Sequence, residues 1–437
     1  MRDEVCVIGA GGAGLAAACA LARRGIPFRV LEARDGIGGM WRHGQTFAYD
    51  SLTSNTSRYR TSFRAYRMSW RGRPFVHHTE FLAYLESFAD RFGVRERVET
   101  GARVGRAEPD GDRWSVTVEG RDPEPFRAVI VATGLLAKPR RRATPGDFSG
   151  RRLHAGEYRS PRDFEGQDVV VTGMGTSGLD IAIELIEHAR SVTLAVRNGM
   201  HVAPRHLFPR VPFDLLDTRS GARLWPFAAR RAAVGLLTAR VRRAAQRGGL
   251  PAPAHRVFDE PIATSDGLPR ALRERRLGVR PGIERFDGDR VVFADGSTLR
   301  ADAVIEATGY EPDLGFLGDL TAGYGYRHMP LYRGVAHPSA RGLFFVGLVV
   351  GQGALLPVFE AQARWAAAVI DGAIPWPAPE QLDRDLDAER RENQRNFGAP
   401  FTIWRDRLRY VMWLEREVTR ARAVRGPASA ARASRRG

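Results

Sequence analysis

The chain has 437 residues, 43% hydrophobic and 27% charged, which excludes a chain disordered throughout and calls for two or three domains. Cys6 and Cys19 are too few for a disulfide framework or a four-thiolate zinc site, and no run of ~20 apolar residues is present to span a membrane. The net charge is +17 and all but one of the 67 basic residues are arginine, a one-sided usage that reads as the coding bias of a GC-rich genome; no RNA- or DNA-reading motif accompanies it, so no specific nucleic-acid partner is expected.

The N-terminal stretch opens on Arg2, Asp3 and Glu4, not on the basic region of a signal peptide. Val5-Cys6-Val7-Ile8 reads as a buried parallel strand, and Gly9-Ala10-Gly11-Gly12-Ala13-Gly14 follows it directly. Residues 15–24 read as a helix stopped by Gly25. This is the strand, G-x-G-x-x-G, helix unit: Gly9 turns the chain, Gly11 lets a pyrophosphate approach, and Gly14 lets helix pack on strand. The next strand, Phe28-Arg29-Val30-Leu31, ends at Glu32, 18 residues after Gly14. A carboxylate there accepts hydrogen bonds from ribose hydroxyls and repels a 2′-phosphate, so this cradle suits FAD or NAD rather than NADP.

The pattern returns at Asp168-Val169-Val170-Val171-Thr172, Gly173-Met174-Gly175-Thr176-Ser177-Gly178 and a predicted helix over 179–189. The following strand, 192–196, ends at Arg197, 19 residues after Gly178. The charge is reversed: a guanidinium there pairs with a 2′-phosphate and selects NADPH. Each half closes alike, on Ala128-Val129-Ile130-Val131-Ala132-Thr133-Gly134 and on Ala303-Val304-Ile305-Glu306-Ala307-Thr308-Gly309, each after a strand–turn segment (113–118 and 291–293). The expected fold is therefore α/β, with two Rossmann-like dinucleotide-binding domains, an FAD domain interrupted by an inserted NADPH domain, each with a small antiparallel β-meander. The expected limits are 1–160 for the first part of the FAD domain, 161–305 for the NADPH domain, 306–400 for the returning part (strand 342–347, helix 355–370), and 401–437 for a C-terminal helix and basic tail. One cradle for flavin and one for nicotinamide imply hydride transfer between them.

Inside the second domain, 218–258 holds nine arginines and no acid, with Leu224-Trp225-Pro226-Phe227 and 234–241 apolar. Such a segment either roofs the substrate pocket or lies on an anionic membrane, and the roof is the preferred reading. Trp404, Tyr410, Met412 and Trp413 read as packing or a homodimer contact, and 418–437, with six arginines and no acid, as a disordered tail.

Over residues 5–376 the sequence resembles the class B flavin-dependent monooxygenases, the flavin-containing monooxygenase family with its plant YUCCA-type members. The most specific piece is Phe148-x-Gly150-xxx-His154-xxx-Tyr158, which matches the family pattern F-x-G-x-x-x-H-x-x-x-[YF]. Gly38-Gly39-Met40-Trp41, the 52–57 segment, Ala307-Thr308-Gly309-Tyr310 and Glu360-Ala361-Gln362-Ala363-Arg364-Trp365 agree. The related Baeyer–Villiger enzymes usually carry Trp where Tyr158 stands. The resemblance implies FAD and NADPH as cofactors, with Met40, Trp41 and Thr56 near FAD. It implies a C4a-(hydro)peroxyflavin that passes one oxygen atom from O2 to a nitrogen or sulfur of a small molecule, and Asn55 beside the flavin ring as the catalytic residue. An amide there can hold the oxygen adduct and the nicotinamide together. Ser177 is assigned to the NADPH pyrophosphate, and His154 to pinning the hinge between the domains by hydrogen bonds to backbone. No general base and no metal ligand are expected, and the location is expected to be cytoplasmic. The alternatives are Baeyer–Villiger or YUCCA-like oxidation of a carbonyl or 2-oxo acid, and an uncoupled NADPH oxidase or reductase.

Overall fold

The computed structural model describes residues 3–44, 46–208, 211–326 and 328–425. Two five-stranded parallel sheets organise them. The first runs in the order Leu343–Phe345, Ala128–Val131, Val5–Ile8, Phe28–Leu31, Val98–Glu99. The second runs Arg151–His154, Ala303–Glu306, Asp168–Thr172, Ser191–Val196, Gly278–Pro281. The strands are short β-branched runs buried on both faces, as parallel strands between helices must be. Three-stranded antiparallel meanders, over 104–126 and 283–300, accompany the two sheets.

Strand for strand, the two sheets have one plan. In each, the strand that closes on Ala-Thr-Gly lies between the glycine-turn strand and one outer strand. The origin of that outer strand differs. In the first sheet it is Leu343–Phe345, contributed after the chain returns from the second domain. In the second it is Arg151–His154, which precedes the domain it completes. The sequence limit at 161 is therefore corrected: the second sheet begins at Arg151. Those four residues carry no helix or glycine turn of their own, so the repeat did not reveal them.

The fingerprint residues explain how that strand is held. The Phe148 ring and the Asp302 carbonyl occupy the space a Cβ on Gly150 would need, at 2.7 and 2.5 Å. Phe148 packs on Phe286 of the second meander. His154 is buried; its Nδ1 accepts from the Gly156 N–H at 3.0 Å, so its Nε2–H donates to the Gly309 carbonyl at 3.0 Å. Burial holds its pKa below the ordinary histidine value, keeping the ring neutral. The expected hinge-pinning role is what this geometry provides.

The C-terminal region differs from expectation. The helix Arg407–Arg425 extends through 418–425, where disorder was expected, because Val418 is buried in the first domain's core; residues 426–437 lie outside the described residues. Trp404, Tyr410 and Met412 are buried and Trp413 is half-buried within their own chain, as the packing reading of this cluster expects. Gln362, on the helix Leu356–Ile370, is fully buried at this junction. Its Oε1 accepts from the Gly347 N–H (3.0 Å), and its amide N–H groups donate to the Gly334 carbonyl (3.0 Å) and the Tyr410 hydroxyl (3.1 Å). No helix among the described residues is long and apolar enough to cross a membrane. Replacing Gln362 with Leu strands two buried backbone groups, the Gly347 N–H and the Gly334 carbonyl, at roughly 1–3 kcal/mol each before relaxation, while the Tyr410 hydroxyl keeps its bond to the Arg333 carbonyl. Gln362→Leu should thus lower the unfolding free energy by on the order of 3 kcal/mol in a urea titration, and a loss below ~0.5 kcal/mol would refute the account.

Candidate functional site

Each glycine turn is shaped by a close approach of backbone to backbone. A Cβ on Gly14 would stand 1.8 Å from the Gly9 carbonyl oxygen, and one on Gly178 would stand 2.2 Å from that of Gly173. The helices Gly12–Ala22 and Thr176–Leu185 therefore start hard against their strands. Neither has a side-chain cap at its N-terminus, so the first N–H groups are left free, as an anion-binding helix end requires. The middle glycines have another use. Among the described residues, nothing lies within 4 Å of a Cβ built on Gly175, and Gly11 meets only Gly39, at 3.5 Å. Protein packing does not need these two to be glycine, whereas a phosphate resting on the backbone would.

The strand-end residues follow. Glu32 is 7% exposed; its carboxylate accepts from the Ala10 N–H (2.7 Å) and the Arg34 N–H (2.9 Å) and is fixed at the rim of the first cradle. Arg197 is exposed, backed by Gly282, and has no ion pair among the described residues. A cationic end without a partner at the rim of the second cradle is free to take a phosphate.

A cavity of about 1140 Å³ links the parts. Single small-molecule sites run ~300–1,000 Å³. Gly9, Gly11, Glu32, Met40, Trp41, Asn55 and Thr56 line it, as does Thr176 at the start of the second cradle's helix. It thus runs from the first cradle to the N-terminus of the second helix. Gly14, Gly173, Gly175, Ser177, Gly178 and Arg197 stand outside its wall, on the helix packing or the open side of the second cradle. The helix over 179–189 in fact starts at Thr176, which puts Ser177 in its first turn. Trp41 is stacked on Phe81, with ring centroids 4.1 Å apart. The Thr56 hydroxyl is engaged by Thr61. Asn55, on the strand Thr53–Ser57, is exposed to the cavity and its amide makes no hydrogen bond among the described residues.

Residues 211–260 of the arginine-rich insertion close the cavity from above. In the helix Phe227–Leu237, Phe227, Arg230, Val234 and Leu237 repeat at helical spacing and face inward. Two polar links that the sequence did not suggest tie this roof, and the segment just before it, to the rest of the site. Asp214 accepts from the Ser57 N–H at 2.7 Å and the Ser57 hydroxyl at 3.0 Å, and burial pushes its carboxyl above the usual range. Arg205 donates to Asp180 at 2.7 Å, in the second cradle's helix, and to the Thr53 hydroxyl at 3.0 Å, two residues from Asn55. The Tyr49 hydroxyl also reaches Asp180. No spacing rule marks such residues, because partners 25–157 positions apart meet only after folding.

Burial pushes the Asp180 carboxyl up to about 6, against the pull of Arg205. Above pH ~6 Asp180 is ionised in both the folded and the unfolded chain, and the burial penalty is complete; as pH falls towards ~4 the folded chain binds the proton first, so this group adds stability. The unfolding free energy of the parent minus that of Asp180→Asn should rise by on the order of 1–3 kcal/mol between pH 7 and about 4.5. A pH-independent difference in urea unfolding would contradict this.

Comparison with known proteins bears on the arrangement. The family model described as "FMO-like: Flavin-binding monooxygenase-like" matches residues 2–423. Flavin-containing monooxygenase 3 of Homo sapiens is 29% identical over 443 residues, covering 94% of this chain and 82% of that protein. Among solved structures, S-allyl-L-cysteine S-oxygenase from Allium sativum superposes with a TM-score of 0.70 at 25% identity, over 95% of this chain and 88% of that one. Cyclohexanone monooxygenase from Rhodococcus sp. Phi1, bound to NADP+, shares the fold with a TM-score of 0.71 at 19% identity, over 96% and 97%.

Proposed function

The chain belongs to the flavin-binding monooxygenase-like family, and from that premise we propose that it transfers one oxygen atom of O2 to a nucleophilic nitrogen or sulfur of a small molecule, with FAD in the first cradle and NADPH in the second. The enzyme is an oxidoreductase that uses both cofactors and O2. The observation that carries the reading is the single cavity running from the first cradle past Asn55 to the second cradle's helix, closed above by the roof. Two coenzymes that must exchange electrons need one shared, water-poor space. The printed activity of the garlic relative, a sulfur oxygenation, supports the choice of a soft nucleophile.

The residues fit the cofactors. The uncapped helix Gly12–Ala22, the bare backbone at Gly11 and the fixed carboxylate of Glu32 match a dinucleotide without a 2′-phosphate. Met40, Trp41 and Thr56 continue the same wall. At the second cradle, Gly173 and Gly178 set the turn, Gly175 leaves room, Ser177 lies in the first turn, and unpartnered Arg197 suits a 2′-phosphate. When bound, FAD and NADPH supply the two-electron reduction of O2 that oxygenation requires. The chain's own part is to hold both, to exclude water with the roof, and to present the Asn55 amide, donor and acceptor together, at the point between them. The balance is substrate, O2, NADPH and a proton giving oxygenated substrate, NADP+ and water. A cytoplasmic location accords with two buried, unpaired cysteines.

Asn55→Ala should retain FAD but release more hydrogen peroxide per NADPH consumed. Peroxide assay beside mass spectrometry of amine, thioether and ketone products reads this; unchanged coupling removes Asn55 from the mechanism, and lactone products alone overturn the nitrogen or sulfur assignment. Arg197→Ala should weaken NADPH by roughly 1.5–3 kcal/mol, about 10–150-fold in KM, and leave NADH nearly unchanged. Equal effects on the two coenzymes would sink the 2′-phosphate assignment.

A further inference from the structure

The strand that carries Asn55 is irregular. Thr53 pairs with His77 and Ser57 with Phe75, so four steps along one strand face two along the other. The surplus residues form a bulge with Asn55 at its centre. A bulge gives up ladder hydrogen bonds, so its residues are aimed by other contacts. Inside it, the Ser54 hydroxyl accepts from the Val76 N–H at 2.9 Å and donates to the Thr56 carbonyl at 2.8 Å. The holds at its two ends come from farther away. Arg205 donates to the Thr53 hydroxyl, and Asp214 accepts from the Ser57 N–H and hydroxyl. Asn55 is thus gripped two residues to either side.

Both grips belong to one hairpin. Its strands, His206–Phe208 and Val211–Pro212, pair antiparallel, and at its base the Phe213 N–H donates to the Arg205 carbonyl at 2.8 Å. The hairpin's other attachments run to the second domain. Asp266 accepts from the Arg205 N–H at 2.8 Å and pairs with the His206 ring at 2.7 Å. Asp180, in the second cradle's helix, takes the Arg205 guanidinium. That guanidinium also lies over Phe75, on the strand opposite Asn55, 5.7 Å from the ring centroid. Asp214 is the less expected member. A buried carboxylate is unfavourable unless it is paired and hydrogen-bonded. Asp214 forms no ion pair among the described residues, and its Oδ1 has no hydrogen-bond partner among them. An apolar side chain would serve packing at this place. The two bonds to Ser57 are what the carboxylate adds.

We propose that Arg205 and Asp214 are positioning residues for oxygen transfer: their hairpin braces the bulge against the second domain and holds the Asn55 amide in register with the second cradle. Arg205 spans from the helix of that cradle to the strand that presents the amide, so one planar guanidinium sets the distance between them. Asp214 fixes the far end of the bulge, so the strand cannot pivot about Thr53. In this role both act through Asn55. The inference rests on the assignment of Asn55 above and extends it to the residues that aim the amide.

Thr53→Val removes the acceptor for Arg205 and leaves the Arg205–Asp180 pair in place. Asp214→Ala removes the other grip, and Asp214→Asn restores a neutral acceptor for the Ser57 N–H. Each is assayed as the full-length, FAD-loaded chain. With the amine and thioether panel, Thr53→Val and Asp214→Ala should each raise the hydrogen peroxide released per NADPH severalfold, and Asp214→Asn should reverse most of the rise. Thr53 does not line the cavity, so its variant should keep a KM for NADPH within about twofold of the parent. In an Asn55→Ala background neither grip variant should raise peroxide further, since the brace then has no amide to aim. Hydrogen exchange with NADP+ bound and no substrate gives a readout free of turnover. Amides of 53–57 should exchange severalfold faster in both grip variants, and those of 128–131 at the parent rate. With Asn55→Ala uncoupled, parent-like coupling or parent-like exchange at 53–57 in either grip variant overturns the brace and leaves the Asn55 assignment standing. So does peroxide release that adds to that of Asn55→Ala, or faster exchange throughout the first sheet, since either marks general loosening. An Asn55→Ala variant that couples like the parent overturns the Asn55 assignment and the brace with it.

Discussion

The whole arrangement depends on how tightly two helices are pressed against the turns that precede them. At Gly14 and Gly178 there is no room for even a methyl group, because the carbonyl oxygen of the first glycine in each turn stands where it would be. That closeness points the start of each helix at the end of its strand, with its first N–H groups unspent. Everything polar nearby then works towards an anion. The Glu32 carboxylate is pulled to the rim by two backbone N–H groups, and Arg197 forms no ion pair among the described residues at the corresponding place in the other sheet. One geometry, repeated with opposite charge at one position, yields two cradles with different preferences.

The two sheets share a strand order but complete it differently, and this joins the domains. The outer strand of the second sheet is the fingerprint segment, and its last residue, His154, reaches the carbonyl of Gly309, where the chain leaves the second domain. Entry and exit are therefore bonded to each other through one neutral imidazole. A histidine suits the task because its two nitrogens can accept from one backbone segment and donate to the other. Gly150 is needed because Phe148 lies on it, which makes the fingerprint a packing unit rather than a row of reacting groups.

The parts legible in the sequence were those that rest on local backbone chemistry. The strands Val5–Ile8, Phe28–Leu31 and Asp168–Thr172 and both glycine turns stood where β-branched runs and glycine spacing put them. The second cradle's helix was displaced, starting three residues earlier and ending four earlier than its apolar pattern suggested, since the turn itself starts the helix and the apolar spacing continues past its end. Arg151–His154 was missed as a strand because four residues flanked by loops carry no periodicity. Arginine content makes 418–425 read as tail, but the burial of Val418 extends the helix through them. Contacts such as Arg205 with Asp180, or Asp214 with Ser57, had no local signature at all. The roof was anticipated, but not which of its residues face the cavity, since 3.6-residue spacing defines a face without saying what lies opposite.

Arginine content alone could not distinguish a compositional habit from a working surface; position does. Where guanidinium groups are enclosed, they meet carboxylates or backbone carbonyls: Arg333 lies among Asp385, Glu389 and Glu417 with its cation over Trp413, Arg205 lies on Asp180, and Arg159 and Arg405 donate to carbonyls. An enclosed charge without such a partner would carry a desolvation cost of several kcal/mol, so this pairing is demanded by burial whatever the genome's bias. On the outside no such demand exists, and exposed pairs contribute at most ~1 kcal/mol, so exposed arginines would be expected among both acids and neutral residues. Around the roof they are instead set among exposed Leu224, Trp225 and Leu236, in a stretch without an acid. Coding bias accounts for arginine replacing lysine. It does not account for the missing acids or for the leucine tips beside them, and those two features are what turn a basic composition into a surface with a direction.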